Sequence, residues 1–388
     1  MSIEPLSDYD LLPTYMRVAE DLRSKLGTPG FEFGAFLPGE YEMAAQYNLS
    51  RGTIRRALGI LEGEGLLSRQ PGRGTLIIPP KADRQDVERP KVALVWTMVR
   101  WMGSEMFSAI EEYLSEANCD ILFKSSKHSH QKEIEILTEL LDTDVNGIVL
   151  YSTGHPDTFR FIQELTNQGK SVVLLDRYLV DQSCDHGWVT SENEQGAYEM
   201  TRYLIELGHK RIGMVIQTPE HQLERISTIV ERTQGYQRAI REAGLDSMLL
   251  KTCAVFDDSG AAIRAALFEF IDSRQPTALF FHNDVSAYRM HAVLTRNGMR
   301  VPQDISIAGF DGLKLFYDIL SFDLTTVRQE FTNLGQEVGK LILSLMHNPD
   351  HQPRQIRLPV KLHIGNTTAP PQPEIEARKR TPKFQEAE

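Results

Sequence analysis

The chain has 388 residues, of which 41% are hydrophobic and 24% are charged, and its formal net charge is -11 at pH 7. This composition is ordinary for a soluble globular protein, and the length allows two or three domains. No apolar run approaches the ~20 residues that a membrane span requires. The N-terminus lacks a basic region followed by an apolar core, so we expect a cytoplasmic protein with no membrane partner. Cys119, Cys184 and Cys253 are too dispersed for a zinc motif or a disulfide framework.

Two helices are predicted near the start of the chain. Residues 12–26 place apolar side chains at helical spacing, so this helix should bury one side. After a loop rich in glycine and proline, a second short helix is expected over residues 41–47.

A third helix is predicted to begin directly after Ser50, which is a suitable N-cap residue. Ile54, Leu58 and Leu61 recur at i, i+4 and i+7, which gives this helix one apolar face. Residues 50–73 carry five arginines and two glutamates, a local excess of positive charge on an acidic chain. A protein needs such a surface where one part meets phosphate groups. Charge alone is equally consistent with an ordinary solvated helix.

A short hairpin is predicted after the third helix. Gly63 and Gly65 end the helix, and the stretches at 66–69 and 75–78 flank a turn of proline and glycine. Three helices followed by a hairpin form a winged helix-turn-helix, whose third helix enters the DNA major groove.

The motifs of this region resemble those of the GntR-type DNA-binding domain, over residues 10–79. They are Leu37-Pro38-x-Glu40-x-x-Met43-Ala44, Ser50-Arg51-x-Thr53-Ile54-Arg55-x-Ala57-Leu58 and Gly72-x-Gly74-Thr75. Tyr41 departs from the family pattern, which usually has arginine there, and a tyrosine replaces that contact with at most one neutral hydrogen bond. The resemblance implies that bases, phosphates and the minor groove are contacted by Arg51, Thr53, Arg55, Arg56, Gly72 and Arg73.

Residues 79–90 are polar, bounded by prolines and without an apolar pattern, so they are interpreted as a linker. Apolar runs of strand length then alternate with amphipathic stretches, which is typical of parallel sheets covered on both faces. A second such series after residue 193 indicates two α/β lobes. Strands are predicted at residues 92–96, 121–123, 147–151, 172–176, 212–216, 252–256, 278–281, 305–309 and 355–364, and helices at residues 105–117, 131–142, 157–168, 194–207, 229–243, 259–272, 285–297 and 331–346.

No cofactor is predicted. The first of these strands is not followed by Gly-x-Gly-x-x-Gly, and no Walker-type sequence occurs, so a nucleotide cofactor is unsupported. His128 and His130 offer nitrogen ligands, but an exposed polar segment before a helix is the favoured interpretation, and no metal site is predicted. Ligand is expected in the crevice between the lobes, at the C-terminal ends of the strands.

Residues at these strand ends resemble the effector domain of the LacI/GalR repressors, which is itself similar to periplasmic sugar-binding proteins. The resemblance spans residues 91–368 and rests on short motifs in a fixed order. At Glu192-Asn193 the chain departs from the family, which usually has Asp-Asn. The other motifs are Asp176-Arg177, Arg232-x-x-Gly235-Tyr236, Asn283-Asp284, Val301-Pro302-x-Asp304-Ile305-Ser306-Ile307-x-Gly309-Phe310-Asp311 and Leu324-Thr325-Thr326-Val327-x-Gln329.

The second resemblance implies a sugar pocket. Carboxylate, amide and guanidinium groups suit a sugar because its hydroxyls both donate and accept hydrogen bonds. Asp284 is expected to cap the next helix, and Arg177 either binds ligand or pairs with a carboxylate. Trp101 is as consistent with packed core as with stacking on the sugar. The implied pocket residues are Asp176, Arg177, Arg232, Asn283, Asp311 and Gln329, with Phe256, Trp101 or Phe107 as the stacking partner.

Together the two resemblances predict an arrangement found in AraR-like sugar-responsive repressors. It implies a homodimer that binds a pseudo-palindromic operator and releases it when a sugar closes the lobes. An activator, or a regulator that needs a co-repressor, uses the same parts, and a carbohydrate-active enzyme is a remote alternative because no nucleophile motif occurs. The predicted domains are a winged helix-turn-helix at 1–79, a linker at 80–90, a two-lobed α/β domain at 91–368 with crossovers near 190, 315 and 350, and a disordered tail at 369–388.

Overall fold

The computed structural model of the chain describes residues 13–70, 73–78, 89–97, 104–180, 186–218, 222–252, 261–313, 322–348 and 354–373. The chain divides into two compact units, Met1–Glu88 and Arg89–Glu388. None of the helices in the described part has both the length and the apolar character needed to cross a bilayer.

The described residues of the first unit form α1 (Thr14–Lys25), α2 (Glu40–Gln46), α3 (Arg51–Gly63), β1 (Leu67–Gln70) and β2 (Gly74–Ile77). α3 begins where it does because the Ser50 hydroxyl accepts a hydrogen bond from the backbone N–H of Thr53. After α3, Gly65 has a φ of 71°, a left-handed conformation that costs glycine little and lets the chain turn into β1.

The core of this unit lies between the helices and the hairpin. Ile54, Leu58 and Leu61 of α3 are buried against Val18 and Leu22 of α1. β1 and β2 pair antiparallel. The predicted winged helix-turn-helix is therefore confirmed, and each element ends within two residues of its expected position.

The second unit alternates strands and helices. In chain order its described elements are β3 (Lys91–Trp96), α4 (Ser104–Glu116), β4 (Asp120–Ser125), α5 (His130–Leu141), β5 (Gly147–Tyr151), α6 (Thr158–Asn167), β6 (Ser171–Leu175), β7 (Gly187–Ser191), α7 (Asn193–Glu206), β8 (Ile212–Gln217), α8 (Ser227–Glu242), β9 (Met248–Thr252), α9 (Ala261–Arg274), β10 (Ala278–Phe281), α10 (Asp284–Arg296), β11 (Ser306–Asp311), β12 (Thr325–Arg328), α11 (Phe331–His347), β13 (Gln355–Leu358) and β14 (Lys361–His363).

These elements build two lobes, each around a sheet that has six strands among the described residues. The first lobe has the strand order β13-β7-β6-β5-β3-β4, and all of its pairs are parallel. The second lobe has the order β14-β12-β11-β10-β8-β9, in which only the β14 pair is antiparallel. The predicted two-lobed α/β architecture is confirmed.

The chain passes between the lobes three times. It leaves the first lobe after β7 at Glu192, returns after β12 at residues 329–330, and leaves again at residues 359–360, between β13 and β14. The last two passages lie further along the chain than the positions near 315 and 350 expected from the sequence. The stretch 355–364 was predicted as one strand, but Pro359 lacks a backbone N–H, and the chain changes sheet there.

Three further strands, β7, β9 and β12, differ from the prediction, which did not include β12. The strand expected at 252–256 lies earlier, as β9, and residues 253–260 fall outside the described part of the chain. β7 was not predicted as a strand, because Val189 and Thr190 are its only β-branched residues. All three strands are short, so the surrounding sheet rather than local propensity determines where they lie.

Candidate ligand cleft and nucleic-acid interface

The basic surface predicted on the third helix is found on α3, opposite its buried residues. Arg51, Arg55 and Arg56 are exposed, and Thr53 is half-buried with its hydroxyl 2.8 Å from that of Ser50. The helix therefore presents three guanidinium groups outside its apolar face.

The remaining predicted DNA contacts are placed differently. The Arg56 guanidinium lies over the ring of Tyr15 in α1, 4.3 Å from the centroid, so this arginine packs partly against its own domain. Arg73 is exposed in the hairpin turn. Gly72 falls outside the described residues.

Arg55 is held by an acidic residue of α2. Its Nε lies 3.2 Å from both carboxylate oxygens of Glu40, and its Nη2 lies 2.8 Å from Glu40 Oε2. The hydrogen bond from Arg55 lowers the pKa of Glu40, and Arg69 and Arg51 lower it further. Tyr41, the next residue, is 78% exposed. The start of α2 therefore places a carboxylate beside Arg55 of α3 and exposes a phenol at the next position.

In the second unit, two predicted pocket residues follow buried strands. Asp176 comes directly after β6, and Asp311 is the last residue of β11. Both have left-handed backbone conformations, with φ values of 64° and 124°, which residues other than glycine adopt at a cost. Strained residues of this kind cluster at ligand sites, where the strain directs a side chain.

Arg232 of α8 is the centre of a buried hydrogen-bond network. Its Nη1 lies 3.1 Å from Asp311 Oδ1, and the two side chains are 4% and 3% exposed. The same Nη1 donates to the carbonyl oxygen of His282 at 2.6 Å, and Nε donates to Asn193 Oδ1 at 2.8 Å. The guanidinium also lies 3.7 Å from the ring centroid of Phe310. Arg232 is thereby fixed in one orientation at the edge of the sheet.

Gln329 connects the two lobes at one of the passages between them. Its side-chain oxygen accepts a hydrogen bond from the Ser191 hydroxyl at 2.6 Å, at the end of β7 in the first lobe. Its amide nitrogen donates to Asp311 Oδ1 at 2.9 Å, at the end of β11 in the second lobe. Gln329 therefore bridges the ends of β7 and β11 through one side chain.

Several polar atoms in this region are buried and have no hydrogen-bond partner among the described residues. They include Asp176 Oδ1, Arg177 Nε and Asp311 Oδ2. Burial raises the pKa of both carboxyl groups, although the charge of Arg232 acts in the opposite direction. Leaving such an atom unsatisfied costs about 1–3 kcal/mol. A ligand that donates to the carboxylates and accepts from the guanidinium would recover this free energy.

The structure gives two neighbouring residues roles that differ from those expected. Asn283 is the N-cap of α10, since its side-chain oxygen accepts a hydrogen bond from the backbone N–H of Ser286 at 2.8 Å. Asp284, predicted to be the cap, is fully buried and accepts hydrogen bonds from the Thr326 hydroxyl at 2.6 Å and the backbone N–H of Leu313 at 2.8 Å. Asp284, at the start of α10, thus connects this helix to β12 and to the segment that follows β11, behind the cleft.

Arg177 is placed beside the cleft by two contacts. Its Nη2 donates to the Thr97 hydroxyl at 3.2 Å, and its guanidinium lies 4.2 Å from the ring centroid of Tyr151. Sequence reasoning missed Tyr151 as a member of the site, although this tyrosine ends a strand predicted with the correct bounds. Ser191 was missed because β7 was not recognised.

Phe107 is the one predicted stacking residue that lies in the described part of the chain, and its ring contacts there are with other aromatic side chains. Phe107 packs edge-on against Trp96 and Phe123, with centroids 6.2 Å and 5.4 Å apart, and so belongs to the side of α4 that faces the sheet edge. Helical spacing alone does not reveal which neighbouring strand a side chain meets. Trp101 and Phe256 lie outside the described residues.

The two lobes are in direct contact along one edge of the cleft. The backbone N–H of Ser227 donates to the carbonyl oxygen of Tyr178 at 2.9 Å, and the Tyr178 hydroxyl donates to Glu231 Oε1 at 2.6 Å. Arg357 of β13 also donates to Glu231 Oε1, at 2.8 Å, and lies over the ring of Trp188. Glu231, next to Arg232 on α8, therefore joins the second lobe to β13 and to the segment that follows β6 in the first lobe.

His130 and His155 lie side by side near the N-terminal ends of α5 and α6. Their rings are stacked with centroids 3.4 Å apart, and each has a nitrogen close to Asp157 Oδ2, at 3.7 Å and 3.6 Å. Burial, followed by the neighbouring His155, lowers the pKa of His130. One ligand atom from each of His130, His155 and Asp157 lies within 4.8 Å of the other two, so these three side chains could hold a metal ion.

Comparison with known proteins supports both parts of this description. Residues 14–77 match the gntR family of bacterial regulatory proteins, and residues 201–368 match the periplasmic binding protein-like domain. An arabinose metabolism transcriptional repressor of Geobacillus stearothermophilus is 29% identical, over 86% of this chain and 92% of that protein. A repressor with the same description from Halalkalibacterium halodurans is 26% identical, over 79% and 82%.

Among solved structures, a LacI family transcriptional regulator from Enterococcus faecium with bound ribose is similar. It is 25% identical with a TM-score of 0.60, and the match covers 72% of this chain and 99% of that chain. These relatives are transcriptional regulators, which confirms the prediction that the chain is not an enzyme. The chain is a DNA-binding transcriptional regulator in which a GntR-family DNA-binding domain is joined to a periplasmic-binding-protein-like effector domain.

Proposed function

We propose that the chain is a transcriptional repressor that leaves its operator when a sugar occupies the cleft between the two lobes. The observation that carries this proposal is the group of buried, unpartnered atoms Asp176 Oδ1, Arg177 Nε and Asp311 Oδ2. Two acceptors and one donor in a buried cleft suit a ligand whose groups both donate and accept. Sugar hydroxyls have this property, and each carboxylate receives from them a charge-assisted hydrogen bond.

The relatives support a sugar as the ligand class. Similar repressors from two bacteria are named for arabinose metabolism, and the structure of a similar regulator contains bound ribose. In this chain the carboxylates of Asp176 and Asp311 are matched by the guanidinium groups of Arg177 and Arg232. The two carboxylates would repel an anionic ligand, so a neutral sugar is the better fit.

The response to the sugar is proposed to use the contacts that join the lobes. A ligand that binds Asp311 alters its bonds to Arg232 and Gln329, and Gln329 is bonded to Ser191 of the other lobe. A ligand shifts an equilibrium only through different contacts in its two states, and these inter-lobe bonds provide such a difference. The coupling to the DNA-binding domain is proposed to run through the linker near residues 79–90.

Operator recognition is proposed to rest on α3 and the hairpin. Arg51, Thr53 and Arg55 would contact bases and phosphates, and Arg73 would approach the DNA from the hairpin, next to Gly72. The exposed arginines and the winged helix-turn-helix support this assignment. A dimer would place two such helices on the half-sites of a pseudo-palindrome.

The homodimer is proposed to form through the effector domains. β4 is an edge strand of the first sheet, and it exposes Leu122 and Phe123, which are 36% and 42% accessible. An exposed apolar edge strand is a template for pairing with a second chain. Phe107 packs against Phe123 and extends the same apolar surface.

Replacing Phe123 with aspartate is expected to dissociate the dimer, because a charge would be buried at the centre of the apolar contact. We expect the dimer dissociation constant to rise at least about tenfold, or ~1.4 kcal/mol. Sedimentation velocity at several protein concentrations measures the change. Ile364, which is 49% exposed in the second lobe, supplies the matched control Ile364→Asp. Equal effects of the two substitutions, or none, would place the dimer contact elsewhere.

The function is tested by mobility shift with the purified full-length chain. Random duplex DNA is first selected for binding at low salt, and the recovered duplex is then titrated with pentoses, hexoses, uronic acids and disaccharides. We expect one neutral sugar to dissociate the complex. The same sugar at ~100 times its dissociation constant should stabilise the protein by ~2.7 kcal/mol in a thermal shift.

Two results would contradict the proposal. Failure to retain any duplex, with or without sugar, would exclude operator binding. A sugar that strengthens the complex would identify a regulator that needs a co-repressor.

A further inference from the structure

We propose that Glu40 determines the DNA specificity of this protein by holding Arg55 in the orientation that reads one base pair. The inference rests on the proposed operator binding by α3. Glu40 acts as a positioning residue, since Arg55 makes the contact with the base.

In the geometry of the pair, Glu40 occupies only one edge of the Arg55 guanidinium. A guanidinium has five N–H donors, arranged as two forks. The fork formed by Nε and Nη2 is occupied by Glu40, at 3.2 Å and 2.8 Å. Among the described residues no hydrogen bond engages the other fork, between Nη1 and Nη2. This second fork matches the O6 and N7 acceptors that guanine presents in the major groove.

Glu40 is well placed to orient its partner because its own position is fixed. It is the first residue of α2, a helix anchored in the domain core by the buried residues Met43 and Ala44. The Arg55 side chain is 58% exposed, whereas that of Glu40 is 26% exposed. An exposed arginine that lacks such a partner samples many rotamers and loses that freedom on binding. The ion pair already restricts the Arg55 side chain before DNA binds, so less conformational entropy is lost on binding.

The charge of Glu40 has a second consequence. A carboxylate on a surface that meets phosphates weakens the attraction for DNA of any sequence. Arg51, Arg55 and Arg69 keep this carboxylate ionised by lowering its pKa. The pair of Glu40 and Arg55 therefore carries no net charge, so it adds little to non-specific binding. Discrimination between sequences is gained while affinity for the phosphate backbone is reduced.

Glu40→Gln is the direct test, because glutamine retains the shape but lacks the charge. We expect two changes in opposite directions. Affinity for random-sequence DNA should rise, with the slope of log K against log salt about one steeper. Discrimination at one base pair in each half-site should fall about fivefold or more, since a well-placed bidentate contact provides at least that preference.

Glu42→Gln is the matched control. Glu42 lies in the same first turn of α2, is exposed, and loses the same charge, but it does not contact Arg55 in the structure. We expect this variant to bind random DNA more tightly without any change in discrimination. Comparison of melting curves shows whether the two variants, which both lose an acidic first-turn residue, are equally folded.

The probe is the duplex selected from random DNA by the unaltered full-length protein, with each base pair of the half-site replaced in turn. Loss of discrimination at the same position in Glu40→Gln and Arg55→Ala, with no further loss in the double variant, supports the proposal. Unchanged discrimination in Glu40→Gln, or an equal loss in Glu42→Gln, overturns it. If the unaltered protein selects no duplex, the operator-binding function itself fails, which is a distinct result.

Discussion

Replacing Asp311 with alanine is expected to leave the protein bound to its operator at sugar concentrations that release the unaltered chain. The substitution removes the acceptor shared by Arg232 and Gln329, together with an unpartnered oxygen assigned to the sugar. A hydrogen bond to a charged group contributes about 1.5–3 kcal/mol. Sugar affinity should fall accordingly, as measured by calorimetry and by the sugar concentration that dissociates the operator complex.

The same change leaves the Arg232 guanidinium buried without its counter-charge, which also destabilises the fold. Asp311→Asn is the control for this effect, because the amide keeps an acceptor for Gln329 and a similar volume. We expect Asp311→Asn to melt closer to the unaltered protein and still to respond poorly to sugar. Release of the alanine variant by the same sugar at an unchanged concentration would remove Asp311 from the effector site.

Replacing Arg55 with alanine should weaken operator binding and leave sugar binding unchanged. A lost base contact costs about 1–3 kcal/mol and relaxes specificity at that position. The loss is measured by titrating labelled operator, and sugar affinity is measured separately by calorimetry on the same preparation.

Arg23 provides a control for this substitution within the same domain. Like Arg55, it is an exposed arginine held by a glutamate, since its Nη2 lies 2.6 Å from Glu64 Oε1. Arg23→Ala should change operator affinity far less, because Arg23 lies on α1 and outside the predicted contacts. If Arg55→Ala abolished sugar binding, the two units would not be separable in the way proposed.

Much of the fold was predictable because its elements have strong local patterns. The α3 helix combines an N-cap serine with three apolar residues at helical spacing, and β5 is a continuous apolar run. The passages between the lobes were less predictable. Residues 355–358 pair with β7, and residues 361–363 pair with β12. The two sheets are formed by distant parts of the chain, so local propensity does not determine which sheet each strand joins.

The candidate site was predictable in position but not in its bonding. Asp176 and Asp311 follow apolar strands, so their location at a cleft could be predicted from the order of elements. That Arg232 is already paired with Asp311 depends on the three-dimensional meeting of α8 and β11. The cap of α10 was assigned to Asp284 instead of Asn283 because adjacent polar residues at a helix start are equally good caps by sequence.

The order of elements in the first lobe has a consequence for synthesis of the protein. The hydrophobic core of this lobe, begun by β3 and α4, includes Leu334, Val338 and Leu341 of α11, and β7, which pairs with β6 on one side, gains its second partner only at residues 355–358. At about 5–20 residues per second, the ribosome needs on the order of ten seconds to pass from β7 to β13. The DNA-binding domain has its complete core long before that time. On the ribosome, the DNA-binding domain is thus able to fold while the lobe that senses the ligand still has an open edge and an incomplete core.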